Sequence, residues 1–169
     1  MWRPWMRVKR PPRAHFIGVG GIGMSGLAKI CHERGWLVSG CDSSLTFATA
    51  ALERQGVPIT LGHHPSHISD ALDLVVYTSA IRPDELEWSE ARIRGVRTLS
   101  RGRLLAELAE GQTLIAIAGA HGKTTTSGMA AQLLLQAGWD PTIAVGGLAL
   151  SLGTNARAGR GRYFVAETD

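Results

Sequence analysis

The order of elements legible in this chain predicts an α/β fold: a doubly wound parallel sheet followed by the opening of a second α/β unit. Three observations carry the prediction. Short apolar runs alternate with segments of helical period up to about residue 110, the pattern of parallel strands joined by crossover helices. A glycine-rich turn, Gly18-Val19-Gly20-Gly21-Ile22-Gly23, stands between the first strand and the first helix. Around Glu110 and Gly111 the pattern restarts with a strand, a second glycine turn and another helix.

Taken in order, the first strand is expected from His15 to Val19. A helix from about Met24 to Arg34 follows, with Met24, Leu27, Ala28 and Cys31 on one face. Gly35 closes that helix as a left-handed residue would. Trp36 to Cys41 reads as the second strand, ending at Asp42, and Leu45 to Gln55 as the second helix, closed by Gly56. Val57 to Leu61 is the third strand. Leu74 to Tyr77 is the fourth, an unbroken apolar run suited to burial on both faces. Pro83 and Asp84 open a helix ending near Arg94 and Gly95. A short strand from Val96 to Leu99 and a helix from Arg101 to Glu110 complete this unit. After the restart come a strand from Leu114 to Ala118 and a helix from Lys123 to Ala137. That helix carries a buried stripe of Met129, Ala130, Leu133, Leu134 and Ala137, ends at Gly138 and is barred from resuming by Pro141. Only Ile143 to Val145 and Tyr163 to Ala166 remain as strands, so the second unit is expected to be incomplete, with a face and an edge uncovered.

Composition bounds the function classes. The 169 residues are 44% hydrophobic with 21 glycines, which suits an α/β protein rich in tight strand-to-helix turns. No stretch approaches the ~20 apolar residues of a membrane span, and the expected setting is soluble and cytoplasmic, without a membrane partner. The net charge of +4 is concentrated in Arg3, Arg7, Lys9, Arg10 and Arg13. Without them the chain has 13 basic against 14 acidic residues, so nucleic acid is not the expected partner. Residues 1–13, which mix these charges with Trp2, Trp5 and prolines, read as a disordered basic leader. Cys31 and Cys41 are too few for a disulfide scaffold and are expected to be small buried residues. His63, His64 and His67 share a polar loop with Pro65 and Ser66, with no acid or cysteine at a metal spacing; a solvated loop is expected there.

The segment 114–126, LIAIAGAHGKTTT, is the most specific chemical signal. An apolar strand stops at Gly119, and Gly122-Lys123-Thr124-Thr125 opens a helix. Backbone N–H groups of such a turn and the positive end of a helix dipole can cradle phosphate oxygens, with Lys123 adding a point charge and Thr124 a hydroxyl for Mg²⁺. Only Ala120 and His121 separate the two glycines, where the usual loop has four residues between its first glycine and the Gly-Lys pair. The earlier G-x-G-x-x-G turn lets a pyrophosphate approach a helix N-terminus, and Asp42 at the end of the next strand can accept hydrogen bonds from a ribose or base. NAD and a UDP-sugar both satisfy that description.

The pairing of a Rossmann-like unit with a shortened G-x-x-G-K-T unit resembles the Mur ligases. The segments that carry the resemblance are HFIGVGGIGMSGLA at 15–28, VSGCD at 38–42, YTSAIRPD at 77–84, IAIAGAHGKTTT at 115–126 and GGLALSLGTNARAGRGRYFVAETD at 146–169. The resemblance implies a three-domain ATP-dependent amide ligase of peptidoglycan synthesis, with residues 14–110 as the UDP-sugar-binding domain and 111–169 as the beginning of the P-loop ATPase domain. In that chemistry ATP phosphorylates the lactyl carboxylate of UDP-N-acetylmuramate and the amine of L-alanine attacks the acyl phosphate. By the resemblance, Lys123 holds the β/γ phosphates, within a loop of Gly119, Ala120, His121, Gly122, Thr124 and Thr125, and Thr124 with Glu167 ligates Mg²⁺. Gly18, Gly20, Gly21, Gly23, Met24, Ser25 and Gly26 receive the UDP pyrophosphate, and Asp42 approaches uridine. Ser79, Ala80 and Ile81 line the same pocket, and Thr154 and Asn155 stand near the muramoyl group or the ATP phosphates.

Ala120 stands where the family usually has Thr, which removes a hydroxyl but spares the backbone cradle. The acid often found in the family near Gly102 and Arg103 is replaced. The family's further acids, later histidine and asparagine, and amino-acid-binding domain would follow Asp169, so this portion alone is not expected to ligate. A non-catalytic UDP-sugar-binding module, an NAD-binding oxidoreductase domain, and a sibling ligase that attaches a preformed peptide to the same sugar remain alternatives.

Overall fold

The structure, a computed structural model, describes residues 10–78, 85–149 and 153–168. Its first sheet is built from β1 (Arg13–Ile17), β2 (Leu37–Asp42), β3 (Ile59–Leu61), β4 (Leu74–Tyr77) and β5 (Arg97–Ser100) in the order β3-β2-β1-β4-β5. All its pairings are parallel, as the unbroken apolar runs predict. The connecting helices are α1 (Ile22–Glu33), α2 (Phe47–Glu53) and α3 (Leu86–Ile93), and α4 (Arg101–Ala109) leads out of the sheet. The expected helix start at Pro83 and Asp84 lies outside the described residues.

Side-chain alternation along β1 sorts the helices between the two faces. Ala14 and Phe16 join α1, α2 and α4 in the main core, with Leu27, Ile30, Leu52 and Leu104 among its buried members. Ile17 points the other way, to a smaller cluster with Cys41, Val75 and Ala91 of α3.

The second sheet contains β6 (Thr113–Ile117), β7 (Thr142–Ala149), β8 (Thr154–Arg157) and β9 (Tyr163–Glu167), ordered β6-β9-β7-β8. It therefore has one strand more than the sequence reading, and β8 runs antiparallel to β7. The polar string Thr-Asn-Ala-Arg gives β8 little strand signal. What holds it is a hairpin with β7 and the burial of Ala156 against α1 at Gly26. On β9, Phe164 and Ala166 enter the main core, while Val165 faces α5 (Lys123–Gln136). α1 thus lies between the two sheets, and the two units share one core. Arg34 ties this junction: its guanidinium donates to Leu108 O, Gln112 Oε1 and Thr142 Oγ1.

Two sequence expectations are corrected. The leader does not extend to residue 13: Arg13 opens β1, and the Arg10 guanidinium makes paired bonds of 2.9 and 3.0 Å to the Asp73 carboxylate. On α5 the buried face is Ser127, Gly128 and Ala131, with Ala130, Leu134 and Leu135 packed at its edge. Met129 and Leu133 point outward, 63% and 65% exposed, and Ala137 is exposed too. In the second half of the helix Met129, Ala130, Ala131, Leu133, Leu134 and Leu135 spread the apolar residues over most of the circumference, so periodicity alone cannot choose its inner face.

Candidate functional site

Three described helices begin without a side-chain cap, and two of them, α1 and α5, open onto one cleft. α1 starts after Gly21 and α5 after Gly122, neither has an acid in its first turn, and no capping hydroxyl occupies their leading N–H groups. Each presents the positive end of its dipole. Gly122 takes a φ of 74°, a left-handed turn that a side chain would strain. The cleft has a volume of about 380 Å³, and Gly21, Gly23, Met24 and Gly26 line it together with Lys123 and Glu167. The first glycine turn and Lys123, which follows the second, are about a hundred residues apart in sequence and line a common space.

The half formed by the second glycine turn and the start of α5 is tightly organised. Lys123 Nζ donates to Gly119 O at 2.9 Å, folding the lysine back over its own loop. Ser127 Oγ lies 2.8 Å from Glu167 Oε1 and steadies that carboxylate at the end of β9. Glu167 and Thr124 both lie against the backbone of β7 at Gly146 and Gly147. A Cβ on Gly146 would stand 2.6 Å from Glu167 Oε2, and one on Gly147 3.2 Å from Thr124 Cγ2. The glycine pair is the space that admits these two oxygen-bearing side chains side by side.

In the first glycine turn, Gly18 N and Val19 N both bond Cys41 O, which fixes the turn to the end of β2. Asp42 holds it further: Oδ2 accepts from Gly20 N at 2.8 Å and Oδ1 from Ser44 N at 3.1 Å. The Gly20 N–H is thereby already engaged, and the Asp42 carboxylate is part of the loop's own scaffold. The Ser25 hydroxyl likewise donates to Ile22 O.

Ser25, Thr154 and Asn155 do not line the cleft. With Gly20, Lys29 and Phe47 they surround a second hollow of about 610 Å³ on the other side of the α1 N-terminus. Asn155 Nδ2 donates to Ile22 O, and Lys29 Nζ donates to Thr154 Oγ1, pinning β8 to α1. Ser79, Ala80 and Ile81 lie outside the described residues; Thr78 before them lines the cleft.

Sequence reasoning missed Arg101. It begins α4 at the carboxyl end of β5, lies against Gly23 and lines the cleft together with Lys123. Its position was the available signal, since ligands of parallel sheets gather at the carboxyl ends of strands. The loop histidines are also corrected: His63 and His67 turn inward onto Glu87, brought by α3 from twenty residues away. Among the described residues no helix is long and apolar enough to cross a membrane.

Residues 13–113 match the family described as "Mur ligase family, catalytic domain". The chain is similar to UDP-N-acetylmuramate--L-alanine ligase of Aquifex aeolicus, 47% identical over 95% of this chain and 35% of that protein. The ligase of the same name from Geotalea daltonii is 48% identical over 93% of the chain and 34% of that protein. The chain thus spans about a third of the length of these curated relatives. Among solved structures it is similar to the UDP-N-acetylmuramate-alanine ligase of Thermotoga maritima, with a TM-score of 0.80 and 34% identity over 92% of this chain and 37% of that one. It is also similar to the UDP-N-acetylmuramate:L-alanyl-gamma-D-glutamyl-meso-diaminopimelate ligase of Neisseria meningitides, with a TM-score of 0.86 and 29% identity over 95% and 53% of the two chains.

Proposed function

This chain belongs to the Mur ligase family, and from that premise we propose that it supplies the UDP-sugar site and the phosphate-binding part of the ATP site of a cytoplasmic enzyme joining L-alanine to UDP-N-acetylmuramate. The observation that carries the reading is the single cleft shared by the α1 and α5 N-termini, Arg101, Lys123 and Glu167. Ligation requires a sugar-nucleotide carboxylate and a nucleoside triphosphate to meet, and a cleft lined by the first glycine motif on one side and by Lys123 and Glu167 on the other allows it. Residues 14–110 carry the sugar-nucleotide side and 111–169 the ATP side. The alanine ligase is favoured over the peptide-adding sibling because the relatives at 47–48% identity bear the former name.

ATP, when bound with Mg²⁺, supplies the phosphoryl group that turns the lactyl carboxylate into an electrophile for the amine. The donor set fits that pair: Thr124 and Glu167 offer the hard oxygen ligands Mg²⁺ takes, and the uncapped α5 start with Lys123 offers a cradle for phosphates. Lys123 neutralises charge on the transferred group, while Arg101 and the α1 N-terminus hold the diphosphate and carboxylate of the sugar nucleotide. Asp42 acts by fixing the glycine loop. The hollow around Phe47 and Lys29 receives the nucleoside end, with Thr154 and Asn155 holding its far wall. β7, through Ala144, Val145 and Gly146, and β9, through Glu167, supply the sheet wall of the cleft beside the reacting groups.

Calorimetric titration of this chain with UDP-N-acetylmuramate, and in parallel with NADH, tests the reading. Heat from the sugar nucleotide alone is expected. Asp42→Ala should weaken that binding by roughly tenfold or more, the effect of losing a charge-assisted hydrogen bond. Binding of NADH alone would overturn the assignment, as would unaltered sugar-nucleotide affinity for Asp42's role.

A further inference from the structure

On the face of the first sheet turned away from the cleft lies a cluster for which amide ligation has no use. Glu87, in the first turn of α3, is fully buried at 0% exposure. Around it stand His15 of β1, Cys41 of β2, and His63 and His67 from the segment after β3. One ligand-type atom from each of His15, Cys41, His67 and Glu87 lies within 4.8 Å of all the others. Four donors bound tetrahedrally at ordinary metal–ligand lengths sit about 3.3–3.7 Å apart. Cys41 Sγ lies 3.0 Å from Glu87 Oε2, while His15 Nε2 lies 3.7 Å from Oε1 and His67 Nδ1 is hydrogen-bonded to that same Oε1, so the donors surround both oxygens of the carboxylate and small side-chain shifts would bring them to metal-bound spacing.

His15 supplies the independent sign. It is 3% exposed, its Nδ1 is bonded to Ser39 Oγ at 2.9 Å, and its buried Nε2 has no hydrogen-bond partner while aimed at the carboxylate. Orienting one ring nitrogen so that the other meets a metal is the usual arrangement of a histidine ligand. His63 Nδ1 bonds Glu87 Oε2 at 2.8 Å, the oxygen that Cys41 Sγ also approaches, and stands 3.3 Å from that sulfur at the edge of the cluster.

We propose that His15, Cys41, His67 and Glu87 are the four ligands of a structural divalent transition-metal site, with Zn²⁺ the ion its donors fit best. Two imidazoles, a thiolate and a carboxylate are a borderline-soft set that disfavours Mg²⁺ and Ca²⁺. On binding, Cys41 releases its thiol proton to solvent. The thiolate and carboxylate then balance the dication, which leaves a neutral buried site where there had been a buried carboxylate. The ion would pin β1, β2, the 63–67 segment and α3 at one point, away from Lys123 and Glu167.

The test is purification of the full 169-residue chain, measurement of its metal content, and titration of the chelator-treated protein with Zn²⁺ and Co²⁺. One Zn²⁺ per chain is expected, together with a cobalt spectrum showing thiolate-to-metal charge transfer and the intense visible bands of four-coordination. Cys41→Ser should abolish the charge-transfer band and weaken Zn²⁺ binding by more than ~100-fold, and Ser39→Ala should weaken it by ~10–100-fold, the usual outer-partner effect. A wild-type chain that takes up no zinc and shows no thiolate band overturns the proposal, whatever the variants do. Zinc held equally by wild type and Cys41→Ser but lost in His63→Gln would overturn it too, since the ion would then sit at His63, Glu85 and Glu87.

Discussion

Glu167 and Thr124 can approach the same strip of β7 only because Gly146 and Gly147 lack side chains. The sequence shows these glycines as two letters in a strand-like run, with no hint that a carboxylate forty residues from the phosphate loop rests on one of them. Gly146→Ala places a methyl group 2.6 Å from the present Glu167 Oε2 position and must move that carboxylate. In a full-length ligase carrying this segment, kcat should fall by roughly 10²-fold, the cost of an ångström-scale misplacement, with UDP-N-acetylmuramate affinity little altered. An unchanged kcat would overturn the role proposed for Glu167 as a magnesium ligand. Lys123 is different, because it shares the cleft with the first glycine turn. Its loss should reach the sugar-nucleotide side as well, where motif spacing alone suggests two separate sites.

At the scale of elements, the glycine turn between β1 and α1 owes its shape to close backbone contact with β2. A Cβ on Gly40 would lie 2.9 Å from Val19 Cβ and 3.1 Å from Phe16 O, inside the hydrogen-bonded junction that positions the α1 N-terminus. Gly40→Ala should cost about 1–3 kcal/mol and lower the melting temperature by roughly 3–10 °C, readable by circular dichroism. An unshifted melt would mean that β2 yields freely at this point. The strands and helices of the first sheet were legible because alternation, capping glycines and buried apolar runs are local signals. β8 was not, since its stability comes from pairing with β7 and from contacts of Thr154, Asn155 and Ala156 with α1, all supplied by distant chain.

At the scale of the whole molecule, the second sheet is covered on one face by α1 and on the other by α5, yet α5 and β6 keep an apolar outer surface. Met129 and Leu133 are more than half exposed, and Leu114 and Trp139 nearly so. Exposed apolar area of this kind favours association. By itself this chain should self-associate as concentration rises, and Met129→Lys with Leu133→Glu should reduce that without lowering the melting temperature. Light scattering across a concentration series checks it, and identical scattering from the double variant would exonerate this surface.

By itself the sequence determined the α/β class, the order of most elements and the two glycine motifs, because those rest on periodicities and turn chemistry spanning only a few residues. The tertiary structure alone decided that both motifs open on one cleft, that Arg101 joins them, and that His15, Cys41, His67 and Glu87 meet behind the sheet. The reason is physical. A parallel sheet gathers the ends of strands far apart in sequence onto one edge, and alternation along each strand sends neighbouring residues to opposite faces, so which side chains meet depends on register and crossover rather than on spacing along the chain.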